Sequence, residues 1–178
     1  LLAIVDEHTT SAAIFNPAAL KDRQALTRLD AVEAGIWFGI RLADALEYAH
    51  KKGVLHLDIK PGNILVTPYG RPLLTDFNVS IRARIDDVEE PKLLGGTLTY
   101  MAPEHRSAFD GDLKAFERID GRADVYSLAT VLQQLLAPAL AEKTEFSGLS
   151  RILQKATAPA IENRYRSAAE FSRALGAC

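Results

Sequence analysis

Between Asp30 and Gly53 apolar residues recur with the period of a helix. Val32, Ile36, Ile40, Ala43 and Leu46 fall three or four positions apart and line one face of an α-helix. Asp30, with Glu33 three residues on, makes a capping-box pattern in which Asp takes the Ser/Thr place. "HKKG" supplies cations for the last turn and Gly53 as the stop. A core helix over about 31–51 is therefore predicted. From Val54 to Thr75 the period shortens. "VLHL" and "NILV" read as short strands, "TPYGR" as a turn and "PLLTDF" as a returning strand, which places a polar loop before a hairpin. Residues 82–92, "RARIDDVEEPK", are charged and aperiodic and predict a mobile surface loop, and "LLGGTLTYMAPE" brings paired glycines and a Pro-bearing turn. "DVYSLATVLQQLLA" predicts a second apolar helix over 124–137, with shorter helices expected over 147–157 and 167–175. At the other end, "LLAIV" reads as a short buried strand, followed by the polar stretch "DEHTTS". Neither an internal repeat nor a low-complexity tract interrupts the pattern.

Composition narrows the partners more than the fold. The 178 residues are 48% hydrophobic and 25% charged, with a net charge of -2, enough for one well-formed core. So balanced a charge argues against nucleic acid or an anionic membrane as the main partner. Cys178 is the single cysteine, so a disulfide framework is excluded and a cytoplasmic, reducing compartment is expected, either free or as the cytoplasmic domain of a membrane-anchored protein. No apolar run approaches the roughly 20 residues that span a bilayer, and "LLAIV" lacks the length and basic flank of a signal peptide. The chain opens on Leu1 in strand-like sequence, which reads as a piece of a longer protein.

Chemistry concentrates in "LHLDIKPGNIL", residues 55–65, where Asp58, Lys60 and Asn63 stand between strand-like apolar residues. Alone, Asp58 and Asn63 are equally consistent with side chains that satisfy turn backbone. Three further motifs follow in order: "TDFN", with Asp76 18 residues after Asp58, then "GGTLTYMAPE", then "DVYSL". Together they resemble the large lobe of the protein kinases, and specifically the eukaryotic-like Ser/Thr kinases, over roughly residues 29–178. The resemblance implies a mainly α fold, a helical bundle with small β-hairpins at the catalytic loop. It divides the chain into residues 1–11, the end of a small lobe and the hinge beside adenine (Asp6 to Ser11), and residues 12–178, the large lobe. The catalytic loop would be 56–63 and the activation segment 76–104.

The same resemblance implies roles. Phosphoryl transfer asks a protein mainly for positioning and charge neutralisation. Asp58 would orient the substrate hydroxyl and accept its proton, and Lys60 would neutralise charge on the transferring phosphoryl. Asn63 and Asp76 would offer oxygens to magnesium, and Leu65 would lie beneath the adenine of ATP. Thr97 would hydrogen-bond to Asp58 and Lys60, which favours Ser/Thr as acceptor. His56 would brace the loop with Phe77 beside it, Glu104 would pair with Arg164, and Asp124 would accept backbone N–H groups of the catalytic loop.

Four departures qualify the picture. The Gly-rich loop and strand lysine of a small lobe are missing, so ATP would meet half a site here and the fragment alone is expected to be inactive. "HLD" replaces the commoner His-Arg-Asp; Leu57 binds no phosphate, so activation through that arginine is not expected. "DFN" replaces Asp-Phe-Gly, and Asn78, which tolerates left-handed angles, implies a stiffer loop that keeps the Asp76 carboxylate. Finally, Glu104 and Asp124 stand further apart than the family usually has them, and the connection after Leu135–Leu136 looks truncated, so the peptide-docking surface is unusual. The expected function is ATP- and magnesium-dependent phosphorylation of a protein Ser/Thr by a kinase of this non-RD type, once joined to its N-terminal small lobe. The alternative is a pseudokinase or interaction scaffold, against which the retention of Asp58, Lys60, Asn63 and Asp76 weighs. A small-molecule kinase of the same fold is disfavoured by Thr97 and "YMAPE".

Overall fold

The computed structural model describes residues 24, 26–77, 96–142 and 147–178. The expected strand at 1–5, the hinge at 6–11, the loop at 82–92 and Asn78 lie outside the described residues. Helix α1 spans Ala31–Lys51 and is closed at its start by the expected capping box. The Asp30 carboxylate accepts N–H bonds from Val32 at 2.8 Å and Glu33 at 2.9 Å, and the Glu33 carboxylate accepts the Asp30 N–H at 2.9 Å. At the other end the chain turns out of the helix through Gly53, at φ +71°, a conformation glycine adopts without a Cβ penalty.

A single 3₁₀ turn, Pro61–Asn63, leads into strand β1, Ile64–Val66, which pairs antiparallel with β2, Pro72–Leu74. The register sets Leu65 opposite Leu73. "VLHL" is not a strand as expected: Val54 makes only an isolated bridge and residues 55–59 are irregular. Tertiary bonding decides this, because the backbone N–H groups of His56 and Leu57 are taken by a side chain and not by a neighbouring strand. Next come α2, Pro103–Phe109, and α3, Leu113–Glu117, two helices for which no expectation was set. Pro103 starts α2 where its missing N–H costs nothing, and the Asp112 side chain caps α3 through the N–H groups of Lys114 and Ala115.

Helix α4, Gly121–Glu142, carries the expected 124–137 helix and extends it at both ends. Asp120 accepts the Arg122 N–H at 2.9 Å and so starts it early. It also continues through Pro138, where the expectation placed an end. Proline in a helix interior costs on the order of 3 kcal/mol, but Ala139 and Leu140 beyond it pack partly buried against the core, and that burial holds the last turn. Helices α5, Ser147–Ala156, and α6, Ala168–Leu175, agree with expectation within a residue.

The core is the meeting of α1, α4, α5 and α6. Val32, Leu42, Ala43 and Leu46 of α1 face Val125, Leu128, Leu132 and Leu136 of α4, Leu149 and Leu153 of α5, and Phe171 and Leu175 of α6. The fold is mainly α, as expected. Among the described residues no helix is long and apolar enough to cross a membrane.

Two glycines set how closely α1 approaches its neighbours. A Cβ on Gly35 would stand 2.5 Å from a Leu136 methyl, and one on Gly39 would stand 2.8 Å from Leu132 and 2.9 Å from Leu175. Leu132 and Leu175 are fully buried and close on Gly39 from two helices, so neither has room to withdraw. Alanine would normally favour the helix by about 1 kcal/mol. Here Gly39→Ala is expected to lower stability by a net of about 1 kcal/mol, because overpacking costs roughly 1–3 kcal/mol. The urea midpoint of Gly39→Ala against wild type checks the sign.

Candidate active site

The loop that carries Asp58 is built on a buried carboxylate from a distant helix. Asp124, in the first turn of α4, is wholly buried. One oxygen accepts the Leu57 N–H at 2.8 Å, and the other accepts the His56 N–H at 2.8 Å and meets His50 Nε2 at 2.8 Å. The positive end of the α4 dipole favours a negative charge there. These bonds hold Leu57 at φ +60°, a left-handed angle that costs a non-glycine residue roughly 1–2 kcal/mol. The expected backbone bonds to Asp124 are present. His50 as a third partner was missed: its sequence position marks only a cation at a helix C-terminus, and nothing in the spacing points 74 residues ahead.

His56 is also buried. Its Nε2 lies 2.9 Å from the Thr75 carbonyl, while Nδ1 faces the Asp58 N–H at 3.4 Å. This bonding assigns the neutral tautomer with hydrogen on Nε2. Phe77 lies against the ring at 4.4 Å between centroids. The histidine thus ties the segment before Asp76 to the segment before Asp58.

Around Asp58 the expected residues converge. The Lys60 ammonium donates to Oδ2 at 2.7 Å, the Asn63 amide donates to Oδ2 at 3.0 Å and to the Asp58 carbonyl at 2.9 Å, and the Thr97 hydroxyl donates to Oδ1 at 3.1 Å. Burial pushes the Asp58 carboxyl up, but the bonds from Lys60, Thr97 and Asn63, with the Lys60 charge, outweigh it and hold the group below its ordinary range. The carboxylate is therefore ionised near neutrality and aimed by three donors.

Asp76 is brought to the same place through Thr75. The Asn63 carbonyl accepts both the Thr75 N–H at 3.0 Å and the Thr75 hydroxyl at 3.2 Å, and Asp76 follows exposed at φ +63°. Asn63 meets Asp58 through Nδ2, so its amide oxygen is not used there. Leu65 stands apart from this cluster, 55% exposed on the hairpin beside exposed Leu73; it makes an apolar surface and no polar contact. The donor set suits magnesium: one carboxylate and one amide oxygen are hard ligands, and this ion commonly takes its remaining ligands from phosphates and water. Among the described residues no group of three or more His, Cys, Asp or Glu side chains is disposed to hold a metal ion, so any site at Asn63 and Asp76 needs ligand oxygens to complete it.

Gly96 positions Thr97. At φ +143° it would put a Cβ 3.0 Å from the Leu57 carbonyl oxygen and 2.6 Å from the Met101 methyl, so the segment approaches the Asp58 loop only because a glycine is there. Beyond it, Glu104 and Arg164 make the expected bidentate pair, both contacts at 2.7 Å, with each residue buried. The guanidinium also donates to the carbonyls of Ala158 at 2.7 Å, Pro159 at 3.1 Å and Arg122 at 3.3 Å, and lies 4.9 Å above the Tyr126 ring. Every face of the charge is occupied, which makes the pair an anchor for the end of the segment that carries Thr97.

A chain that converges an aspartate, a lysine, an asparagine and a threonine on one loop beneath a helical core has the large-lobe arrangement of the protein kinases. The protein kinase domain model matches residues 19–173, and the chain belongs to that family. It is 31% identical over 165 residues to the serine/threonine-protein kinase PknF of Mycobacterium tuberculosis, covering 76% of this chain and 33% of that protein. To PknD of the same organism it is 40% identical over 99 residues, 56% of this chain and 14% of the relative, and to PknK 50% over 68 residues, 37% and 6%. The chain thus spans about a third of PknF and less of the others.

Two outcomes follow from the geometry. Because Asp58 sits below its unfolded value in the folded protein, its contribution to stability is present above the ordinary Asp range near pH 3.9 and is lost as pH falls through the lower folded value. Lys60→Met, which removes the first donor and the charge, is expected to move the Asp58 carboxyl upward, as read from its carbon-13 shift against pH. Arg164→Ala is expected to cost about 3–5 kcal/mol by stranding the Glu104 carboxylate, and Arg164→Lys is expected to recover little, since an ammonium cannot make the fork; denaturant unfolding measures both.

Proposed function

We propose that this chain is the large lobe of a serine/threonine protein kinase that moves the γ-phosphoryl group of ATP to a protein hydroxyl. The observation that carries the reading is the Asp58 carboxylate, held ionised by Lys60, Asn63 and Thr97 at 2.7–3.1 Å. In this reading Asp58 orients the acceptor Ser or Thr hydroxyl and takes its proton as the oxygen bonds to the γ-phosphorus. The bond from that phosphorus to the β–γ bridging oxygen breaks, and ADP leaves with the electron pair. Lys60, within reach of both Asp58 and the transferring group, offsets the charge that builds on the phosphoryl oxygens. Thr97 fixes the face of the carboxylate presented to the substrate.

Asn63 Oδ1 and the Asp76 carboxylate would hold magnesium, which when bound neutralises the phosphates. Leu65 and its cross-strand neighbour Leu73 supply an apolar floor suited to a purine. The opposite wall of the ATP site would come from an N-terminal small lobe, with residues 1–11 leading into it and residues 12–178 forming the large lobe. Activity of the chain without that lobe is not expected. With Leu57 in place of arginine, the kinase is of the non-RD type. One cysteine and a near-neutral charge suit work in a reducing cytoplasm, on protein and not nucleic-acid partners.

Transfer of labelled γ-phosphate to Ser/Thr protein substrates by the full-length protein, with magnesium, tests the reading. Asp58→Asn is expected to lower kcat by about 10²–10⁴-fold while nucleotide binding holds and the protein stays folded, its unfolding midpoint lowered only by the carboxylate's lost contribution. A wild type that transfers nothing yet binds proteins normally would make the fold a scaffold instead, and an undiminished Asp58→Asn would remove Asp58 from the chemistry.

A further inference from the structure

Leu57 is held by more than its backbone. Its N–H goes to Asp124, and Gly96 passes close to its carbonyl oxygen, which a Cβ there would approach to 3.0 Å. The side chain, 2% exposed, sits in an apolar cluster with Leu55, Ala102 and Ala123, against which Ala108, Phe116, Ile119 and Tyr126 pack. This cluster is separate from the main helical core. Leu55, Leu57 and Asp58 belong to one loop, Ala102 to the end of the segment that carries Thr97, and Ala123 and Tyr126 to α4. Ala108, Phe116 and Ile119 come from α2, α3 and the turn after α3, the stretch that lengthens the spacing between Glu104 and Asp124.

That stretch is not a loose excursion. The Asp112 cap fixes the start of α3, the Arg118 N–H bonds back to Ala115, and the Ile119 N–H bonds back to Phe116. Asp120 then receives the Arg122 side chain through Nε at 3.0 Å to each oxygen and through Nη2 at 2.7 Å. Phe116 and Ile119 are thus delivered to the Leu57 cluster by a built element.

We propose that Phe116 and Ile119 are positioning residues for Asp58. They brace the Leu57 side chain at its left-handed backbone angle, and that angle sets the direction in which the next residue presents its carboxylate. The α2–α3 pair is then a permanent apolar brace for the loop that carries Asp58. The inference rests on the reading of Asp58 as the group that meets the substrate hydroxyl.

The test uses the full-length protein with Phe116→Ala, Phe116→Leu and, as a control, Ile152→Ala in α5, which packs on the main core. At a temperature where all variants are folded, Phe116→Ala is expected to lower kcat about ten- to a hundredfold and to leave the KM for ATP unchanged. Phe116→Leu restores most of the rate, and the control keeps it despite its own loss of stability. Amide exchange gives a readout apart from activity: the Leu57 and Asp58 N–H groups exchange about tenfold faster in Phe116→Ala and not in the control, as expected of local opening. Unchanged exchange at Leu57 and Asp58, or a kcat that follows stability equally in Phe116→Ala and the control, overturns the brace. A wild type without phosphoryl transfer would overturn the kinase reading alone, and amide exchange would still decide the brace.

Discussion

The whole site hangs on the buried carboxylate of Asp124. A wholly buried negative charge is tolerable only when it is saturated with donors, and here two backbone N–H groups and a histidine ring close around it. Those bonds do two jobs. They satisfy N–H groups that would otherwise need a neighbouring strand, so residues 55–59 are irregular although their side chains suit a strand. They also hold Leu57 in a left-handed conformation immediately before Asp58. The strain is local, and the bonds that sustain it come from a helix that starts more than 60 residues later in the chain. The shape of the loop that carries Asp58 is thereby made a property of the core.

The remaining ties extend the same logic outward. His56 and Thr75 couple the Asp58 loop to the segment of Asp76, and Thr75 couples that segment to Asn63. Gly96 lets the segment of Thr97 approach from the other side. The Glu104–Arg164 fork fastens the far end of that segment to the C-terminal part of the chain. Charged groups thus serve two distinct ends. Asp124, Glu104 and Arg164 are buried and saturated by the protein itself. Asp76 is exposed, and Asp58, though as buried as Glu104, is aimed by side-chain donors from its own loop and from the segment of Thr97.

Much of this was legible in the chain. Helix α1 was set by its capping box and period, α6 and α5 by period alone, and the identities of Asp58, Lys60, Asn63, Asp76 and Thr97 by motif order. The bonds among Asp58, Lys60 and Asn63 are short-range, and spacing of two and five residues is enough to suggest them. Other features were not legible. "VLHL" has strand composition but no strand partner. Pro138 ordinarily ends a helix, but packing of Ala139 and Leu140 carried it onward. The stretch between Glu104 and Asp124 read only as extra length, although Pro103 and Asp112 were start signals for two short helices.

The sequence by itself determined the family, the helical core and the residues that converge on Asp58, because capping, periodicity and motif order act over a few residues and survive in the order of the letters. Only the tertiary structure decided that His50 shares Asp124, that Gly39 is the point where α1 meets both α4 and α6, and that Phe116 and Ile119 reach the cluster around Leu57. Each of these joins residues far apart in the chain through burial and close contact. Such contacts depend on which surfaces meet after folding, and no local pattern encodes that meeting.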